Sequence, residues 1–262
     1  MPQNYSQAYF DLPETWDPAS WQKKEPARAR AHLASQWFPG EVHSILDVGC
    51  GNGVFANLEE AGRLKIGLDL SRAALAYVTA PHLQADASYL PFADHSFDAC
   101  LSMEMLEHLQ SDPYQDALVE LLRVARTYIM ITVPYNENLA YNCLVCPACL
   151  FKFNPFHHVR SFSHRVLVDL FEVRARLIKL EPIVPIRREV LPALWNLVSR
   201  YHHRGGRNFT TGSICPRCGF TRKSATPSGD NLQINSRQRS LGRFWPKVTT
   251  FTWWMALYEK SS

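Results

Sequence analysis

Between residues 44 and 135, short apolar runs alternate with stretches of helical periodicity. Residues 45–48, 65–70, 82–85, 97–103 and 128–133 are apolar runs bounded by turn residues, not apolar–polar alternations. That pattern predicts parallel strands covered on both faces. After the first run Val54, Leu58 and Ala61 recur at helical spacing, with Gly62 placed as a C-terminal cap. Ser71 can cap a helix over 72–79 that Pro81 stops. Asp112 and Pro113 read as the N-cap and first residue of a further helix, whose Leu118, Leu121, Leu122 and Ala125 share a face. Upstream, 27–37 predicts a helix inside an aromatic leader that holds Tyr5, Tyr9, Phe10, Trp16, Trp21, Trp37 and Phe38. Such a leader either packs on the core, as its large apolar area favours, or lies as a lid over a ligand cleft. Downstream, Ser163 can cap a helix over 164–171 with Val166, Leu167, Leu170 and Phe171 inward. Residues 177–184 then read as a strand, 190–201 as a helix, 226–243 as a polar loop and 248–258 as a closing strand. Strand and helix in alternation predict a doubly wound α/β fold.

Composition narrows this. The chain has 262 residues, 46% of them hydrophobic, enough for one large α/β domain plus an insertion. No run of about 18 apolar residues appears, so no transmembrane segment is expected, and residues 1–11 lack a basic stretch followed by an apolar one. Seven cysteines, an odd number and partly in C-x-x-C pairs, predict a reducing, cytoplasmic setting and metal binding in place of a disulfide framework. The overall charge of +4 hides a division: residues 1–150 carry 9 Lys and Arg against 18 Asp and Glu, and residues 151–262 carry 19 against 6. Either an anionic partner meets the basic half, or the two halves neutralise each other.

The stretch that gives this pattern chemistry is Asp47-Val48-Gly49-Cys50-Gly51-Asn52-Gly53, at the end of the first strand. Strand, glycine loop and helix bring bare backbone N–H groups up to a ligand, and a Cβ would block both the turn and the close approach. Asp69 ends the second strand, 20 residues beyond Gly49, where an acid can accept both hydroxyls of a ribose. Gly-x-Gly-x-Gly behind an acid is not the G-x-G-x-x-G dinucleotide fingerprint. It resembles the D-x-G-x-G-x-G loop of class I S-adenosylmethionine-dependent methyltransferases. The resemblance continues through Gln84-Ala85-Asp86-Ala87, Leu90-Pro91-Phe92, Phe97-Asp98 and Ser102-Met103-Glu104-Met105-Leu106-Glu107-His108-Leu109. It is closest to the broad "type 11" group, which includes quinone-biosynthesis methyltransferases, and covers residues 44–135 well and the remainder loosely.

That resemblance implies a seven-stranded, mostly parallel Rossmann-like sheet whose last strand runs antiparallel, inserted between strands five and six. It implies S-adenosylmethionine as cofactor. Gly49, Gly51 and Gly53 would wrap its methionine end, and Asp47 would steady the loop and the ammonium group. Asp69 would hold the ribose, with Leu70 against the adenine. Asp86 would accept from the adenine amino group with Ala87 beside it, and Met103 would border the cofactor. For Glu107 and His108 a place in the site and a plain reading, a helix-start acid and a surface histidine, explain the residues equally well.

Two further features lie outside the family minimum. Cys143-x-x-Cys146-x-x-Cys149 is followed, after 65 intervening residues, by Cys215-Pro-x-Cys218-Gly219. Cys146, Cys149, Cys215 and Cys218 predict a tetrahedral four-thiolate zinc site, structural because no position is left for water. Cys143 is spare or replaces one ligand, and free cysteines in a reduced protein are the plainer alternative. In this reading residues 1–43 form a helical, aromatic lid. Residues 44–262 form the main domain, with insertions at 138–162 and 186–246 making a zinc-bound, substrate-side subdomain. The second feature is Phe153-Asn-Pro-Phe-His157-His158-Val-Arg160, which in the family borders the substrate pocket.

Methyl transfer from a sulfonium is an in-line displacement, helped by holding the acceptor about 3–3.5 Å away in a dry pocket. An alcohol acceptor must also lose its proton. His158 is the first candidate base, with His157 and then His108 behind it. The acceptor is read as a small molecule or an anionic glycan, nucleotide-sugar or lipid intermediate. RNA docked on the basic insertion ranks second and predicts binding that falls steeply with salt. No Asn-Pro-Pro-Tyr-type amine-methylation motif follows the fourth strand, where Ser102 to Glu107 stands. A non-catalytic cofactor-binding protein is the third reading, against which Asp47, Asp69 and Asp86 all stand in place.

Overall fold

The structure is a computed structural model that describes residues 6–17, 25–139, 143–189, 213–221 and 247–261. Its strands are β1 (Ser44–Val48), β2 (Leu64–Asp69), β3 (His82–Gln84), β4 (Phe97–Met103), β5 (Ala125–Pro134), β6 (Leu144–Val145), β7 (Lys152–Phe153), β8 (Ala175–Glu189) and β9 (Lys247–Lys260). Its helices are α1 (Ser6–Phe10), α2 (Pro13–Trp16), α3 (Glu25–Trp37), α4 (Arg72–Leu75), α5 (Ser111–Val124) and α6 (His164–Val168). Seven strands form one sheet in the order β3-β2-β1-β4-β5-β9-β8, while β6 and β7 pair as a separate small hairpin. β1 to β5 are parallel, and β9 runs antiparallel to both β5 and β8, as the resemblance implied. The order reverses between β1 and β4, so a crevice opens at the C-terminal ends of the strands there, where doubly wound sheets take ligands.

The apolar runs have a direct cause. Leu46 and Val48 of β1, Cys100 of β4 and Ile129 and Ile131 of β5 pack on one face with Leu118, Leu121 and Leu122 of α5. Ile45, Ala99, Leu101 and Met130 point to the other face, against Ala31 and Ala34 of α3. Successive strand residues alternate between faces, and both faces are covered, so both parities are apolar. Among the described residues no helix is long and apolar enough to cross a membrane.

Local differences from the sequence reading have identifiable causes. No helix follows Gly53: residues 51–57 form turns. Asn57 N–H still reaches Gly53 C=O at 2.9 Å, but Leu58 N–H turns back to Phe55 C=O at 3.0 Å and Leu58 C=O accepts from Lys65 Nζ at 2.9 Å, while the Asn57 side-chain amide bonds Tyr77 C=O and the Thr79 and Ala80 N–H groups, so the turns do not grow into a helix. Gly62, at φ 82°, therefore serves a turn and caps no helix. Ser71 does cap α4 through the Ala74 N–H, but after Leu75 the bonds shorten to the i→i−3 type, Tyr77 to Ala74 and Val78 to Leu75. α5 starts at Ser111 with Gln110 at the cap position, so Asp112 and Pro113 lie inside its first turn, where a missing N–H costs nothing. Ser163 caps α6 as expected, yet the helix ends at Val168, and Val166 is 43% exposed where it was expected inward. The expected helix over 190–201, the polar loop over 226–243, Tyr5 and Trp21 lie outside the described residues.

Candidate functional site

β1 delivers the chain into the glycine loop at the crevice. Gly49 and Cys50 N–H both donate to Leu68 C=O, at 2.7 and 3.0 Å, which ties the loop to the end of β2. Gly51 has φ 55°, and a Cβ there would sit 2.7 Å from the Trp16 ring. Gly49, at φ 75°, is closed in the same way by Met105. Asp69, at the end of β2, accepts from Gly51 N–H with one oxygen and from Ser71 N–H with the other, both at 2.8 Å. It thus sets the loop against the cap of α4.

Asp47 lies under this loop and is 1% exposed. Neither of its oxygens makes a well-formed hydrogen bond among the described residues. Burial, reinforced by the Asp69 charge, pushes its carboxyl up to about 7. A buried carboxylate without a donor is costly unless a cation meets it, so this position fits the ammonium end of an amino-acid ligand.

The other expected cofactor contacts fall along the same edge. Asp47 is opposite Gly67 in the β1–β2 register and Asp69 opposite Gln84 in the β2–β3 register. Asp86 follows just beyond β3, exposed, with one oxygen accepting from the Ser88 N–H and hydroxyl at 2.9 and 2.7 Å. Leu70 is 44% exposed beside Asp69, a large apolar side chain free to cover a ring. Ala87 and Met103 are buried, Met103 at the end of β4.

The N-terminal segment closes over the loop. Asn52 donates to Trp16 C=O at 3.0 Å, and the Ser71 hydroxyl donates to Phe10 C=O at 2.6 Å. Tyr9 stacks on His157 with centroids 4.5 Å apart, and Phe10 sets its edge to His108 at 5.0 Å. Residues 9–16 therefore bridge the glycine loop and a second polar cluster.

That cluster is built where β4 ends in the 3-10 turn Leu106–His108. Glu107 is fully buried and its carboxylate makes no well-formed hydrogen bond among the described residues. Burial and then the neighbouring Glu104 hold its carboxyl well above the usual range. His108 is half-buried, with Nδ1 likewise unpartnered, and burial first and the other histidines next pull it down to about 3. That burial sets aside the surface reading of His108, whereas Glu107 does stand in the first turn of a short 3-10 helix. His157 is 3% exposed, and burial brings it down to about 4. His158 Nδ1 lies 2.5 Å from Glu137 Oε2, whose other oxygen accepts from Asn154 at 3.0 Å. Val159 N–H donates to Glu107 C=O at 2.9 Å, which fastens the 157–160 stretch to the turn. Glu137 was not picked out from the sequence; a carboxylate just past Pro134, at the C-terminal end of a parallel strand, was the available signal.

The four cysteines come together as spaced. Cys146, Cys149, Cys215 and Cys218 place their sulfurs within 4.8 Å of one another, an arrangement that could hold a metal ion. The first pair leaves the β6–β7 hairpin and the second is framed by the Ile214–Thr221 bridge. Leu150 N–H bonds Cys146 C=O and Gly219 N–H bonds Cys215 C=O, both at 2.9 Å, so the two turns repeat each other. Burial alone would raise the Cys146 thiol, yet hydrogen bonds from the Cys149 and Ala148 backbone bring it down to about 7. Cys143 stands outside the group and donates to Leu139 C=O.

Residues 46–128 match the family described as "Methyltransferase domain". This chain carries a methyltransferase domain. Its glycine loop, Asp47, Asp69, Asp86 and Glu107 all fall inside the matched span. The domain is similar to a methyltransferase of Mycobacterium tuberculosis, 32% identical over 136 residues, covering 47% of this chain and 53% of that one. It is 38% identical over 94 residues to a malonyl-(acyl-carrier protein) O-methyltransferase of Erwinia pyrifoliae, covering 34% and 35%. The chain thus spans about half the length, or less, of the curated relatives it matches. In fold, the chain resembles a SAM dependent methyltransferase from Archaeoglobus fulgidus, with TM-score 0.55 at 18% identity over 93% of this chain and 97% of that one. It also resembles the cyclase SpnF, with TM-score 0.51 at 16% identity over 89% and 81%. The methyltransferase fold alone therefore does not fix the reaction.

Proposed function

We propose that the chain is an S-adenosylmethionine-dependent methyltransferase acting on a small molecule or an anionic glycan, nucleotide-sugar or lipid intermediate. The observation that carries the reading is Asp47: a buried carboxylate with no well-formed hydrogen bond among the described residues, at the strand end that leads into the glycine loop. S-adenosylmethionine supplies an electrophilic methyl group. The chain's residues do the rest. Gly49, Gly51 and Gly53 admit the methionine end, and Asp47 pairs with its ammonium. Asp69 offers its remaining lone pairs to the ribose, Leu70 and Ala87 flank the adenine, Asp86 accepts from its amino group, and Met103 borders the reacting end. Residues 1–43 act as the lid, which excludes water and keeps the acceptor in line.

The acceptor end is the histidine cluster. His158, held by Glu137 through Nδ1, keeps Nε2 to take a proton from an acceptor hydroxyl. His157, under the Tyr9 ring, shapes that wall. The Erwinia relative is matched only over its cofactor-binding part, so its name supports the transfer chemistry and leaves the acceptor open. The surplus of Lys and Arg over Asp and Glu in residues 151–262 supports an anionic one.

The four thiols are proposed to hold a structural Zn2+. A tetrahedron with Zn–S bonds of about 2.3 Å has edges of about 3.8 Å; the Cys146–Cys218 and Cys149–Cys215 sulfurs are 3.6 and 3.7 Å apart. The site joins the insertion at 138–162 to that at 186–246 as a substrate-side subdomain.

Calorimetry with S-adenosylmethionine tests the cofactor reading, and one-site binding is expected. No binding by pure, folded protein rejects it. Labelled methyl transfer to glycan, lipid and RNA fractions then identifies the acceptor, with label expected in the glycan or lipid fraction.

A further inference from the structure

The Glu107 carboxylate is the least explained group in the molecule. It is fully buried and neither oxygen makes a well-formed hydrogen bond among the described residues, although Arg30 lies close enough to pair with its neighbour Glu104 at 3.2 Å. Next to it are two histidine nitrogens. One carboxylate oxygen of Glu107 and one ring nitrogen each of His108 and His158 lie within 4.8 Å of one another. One ring is held from behind: His158 Nδ1 is bonded to Glu137. A histidine fixed through one nitrogen by a carboxylate or carbonyl, with its other lone pair aimed at a shared point, is the usual second layer of a metal site. Two imidazoles and one carboxylate on one side of a cation leave its other positions open to exchangeable ligands.

We propose that Glu107, His108 and His158 form a second metal site, separate from the four thiols, which takes a divalent first-row cation and presents it to a hydroxyl of the methyl acceptor. The proposal rests on the methyltransferase reading for its purpose, not for its geometry. Its place at the end of β4, next to Met103, puts the cation at the acceptor end. An acceptor oxygen that joins the cation loses its proton to solvent more readily. The oxygen–carbon bond then forms as the carbon–sulfur bond breaks, and S-adenosylhomocysteine leaves uncharged. In this arrangement His158 spends its free lone pair on the cation and not on the proton. Thiolates disfavour Mn2+, whereas a carboxylate with two imidazoles accepts it along with Zn2+ and Fe2+, so Mn2+ separates the two sites.

Mn2+ is therefore the probe. The full chain, given one equivalent of zinc per chain for the thiols and freed of excess, is titrated with Mn2+ and free Mn2+ is read by electron paramagnetic resonance. Saturable binding of one Mn2+ per chain is expected. Glu107→Gln and His158→Gln should each weaken it by about tenfold or more, and Glu137→Gln, which removes only the support, by about tenfold. Circular dichroism checks that each variant is folded; His158 and Glu137 keep some solvent contact, so these two keep the test usable if Glu107→Gln does not fold. Folded wild type that binds S-adenosylmethionine but no Mn2+ overturns the site and leaves His158 as a plain base. Mn2+ binding that survives in the folded variants overturns it as well. Mn2+ binding that the variants lose, in a protein that does not bind S-adenosylmethionine, upholds the site and rejects the methyltransferase reading instead.

Discussion

At the residue scale, the molecule turns on carboxylates placed where water does not reach. Asp47 and Glu107 are both buried without a well-formed hydrogen bond among the described residues, while Asp69 spends its charge on the Gly51 and Ser71 N–H groups. Asp47→Asn removes the partner of the cofactor's ammonium. A charge-assisted hydrogen bond of about 1.5–3 kcal/mol is lost, so calorimetry should show S-adenosylmethionine affinity lower by about 10- to 100-fold. Unchanged affinity would mean that the ammonium lies elsewhere. Asp47, Asp69 and Asp86 were legible in the sequence because each sits at a fixed offset from a local signal: a glycine loop or a strand end. Glu137 was not, and Glu107 was named there without its burial. What marks them is burial and a partner 21 residues away from Glu137 along the chain, and neither leaves a mark on neighbouring residues.

At the scale of elements, the two cysteine turns are the same device solved with different residues. Gly219 adopts φ 69° freely, whereas Leu150 adopts φ 58° with a side chain and remains 74% exposed. Backbone strain of this kind persists only where surroundings hold it, which agrees with a turn whose shape is imposed by its sulfurs. Metal analysis should give about one zinc per chain, and Cys149→Ser and Cys218→Ser should each release it. Chelation should lower the melting temperature; a metal-free protein that melts unchanged would remove the zinc from the account. The strands were legible here and the helices less so. Apolar runs report the coverage of a strand on both faces, which holds for β1, β4 and β5 but not for the edge strands β3 and β8. Helical spacing reports only which side is apolar, and after the Asn57–Gly53 bond the Leu58 N–H turns back to Phe55 and its C=O goes to Lys65, which ends the turns there. The lengths of α4 and α6 were overestimated for a similar reason, since the spacing of apolar residues continues through turns that bond i→i−3.

At the scale of the whole molecule, the buried acids set a pH dependence. The Asp47 carboxyl rises from 3.8 to about 7 on folding, and Glu107 rises in the same direction. The folded chain thus binds more protons than the unfolded one, so their contribution to stability is full below about pH 4 and is lost as pH rises through about 7. Melting curves of the ligand-free protein should show that loss, and Asp47→Asn should flatten it. Added S-adenosylmethionine should raise the melting temperature more at pH 8 than at pH 5, because its ammonium compensates an ionised Asp47; an equal gain at both would contradict the pairing. The place of β9 carries a different consequence. It lies between β5 and β8, although it is made after both. Until residues 247–260 emerge from the ribosome, β5 and β8 each offer a bare row of N–H and C=O groups, a template for joining another nascent chain. Shortening the protein by this one segment would split the sheet internally instead of trimming its border, and clumping during synthesis, more than slow turnover, is the failure to look for.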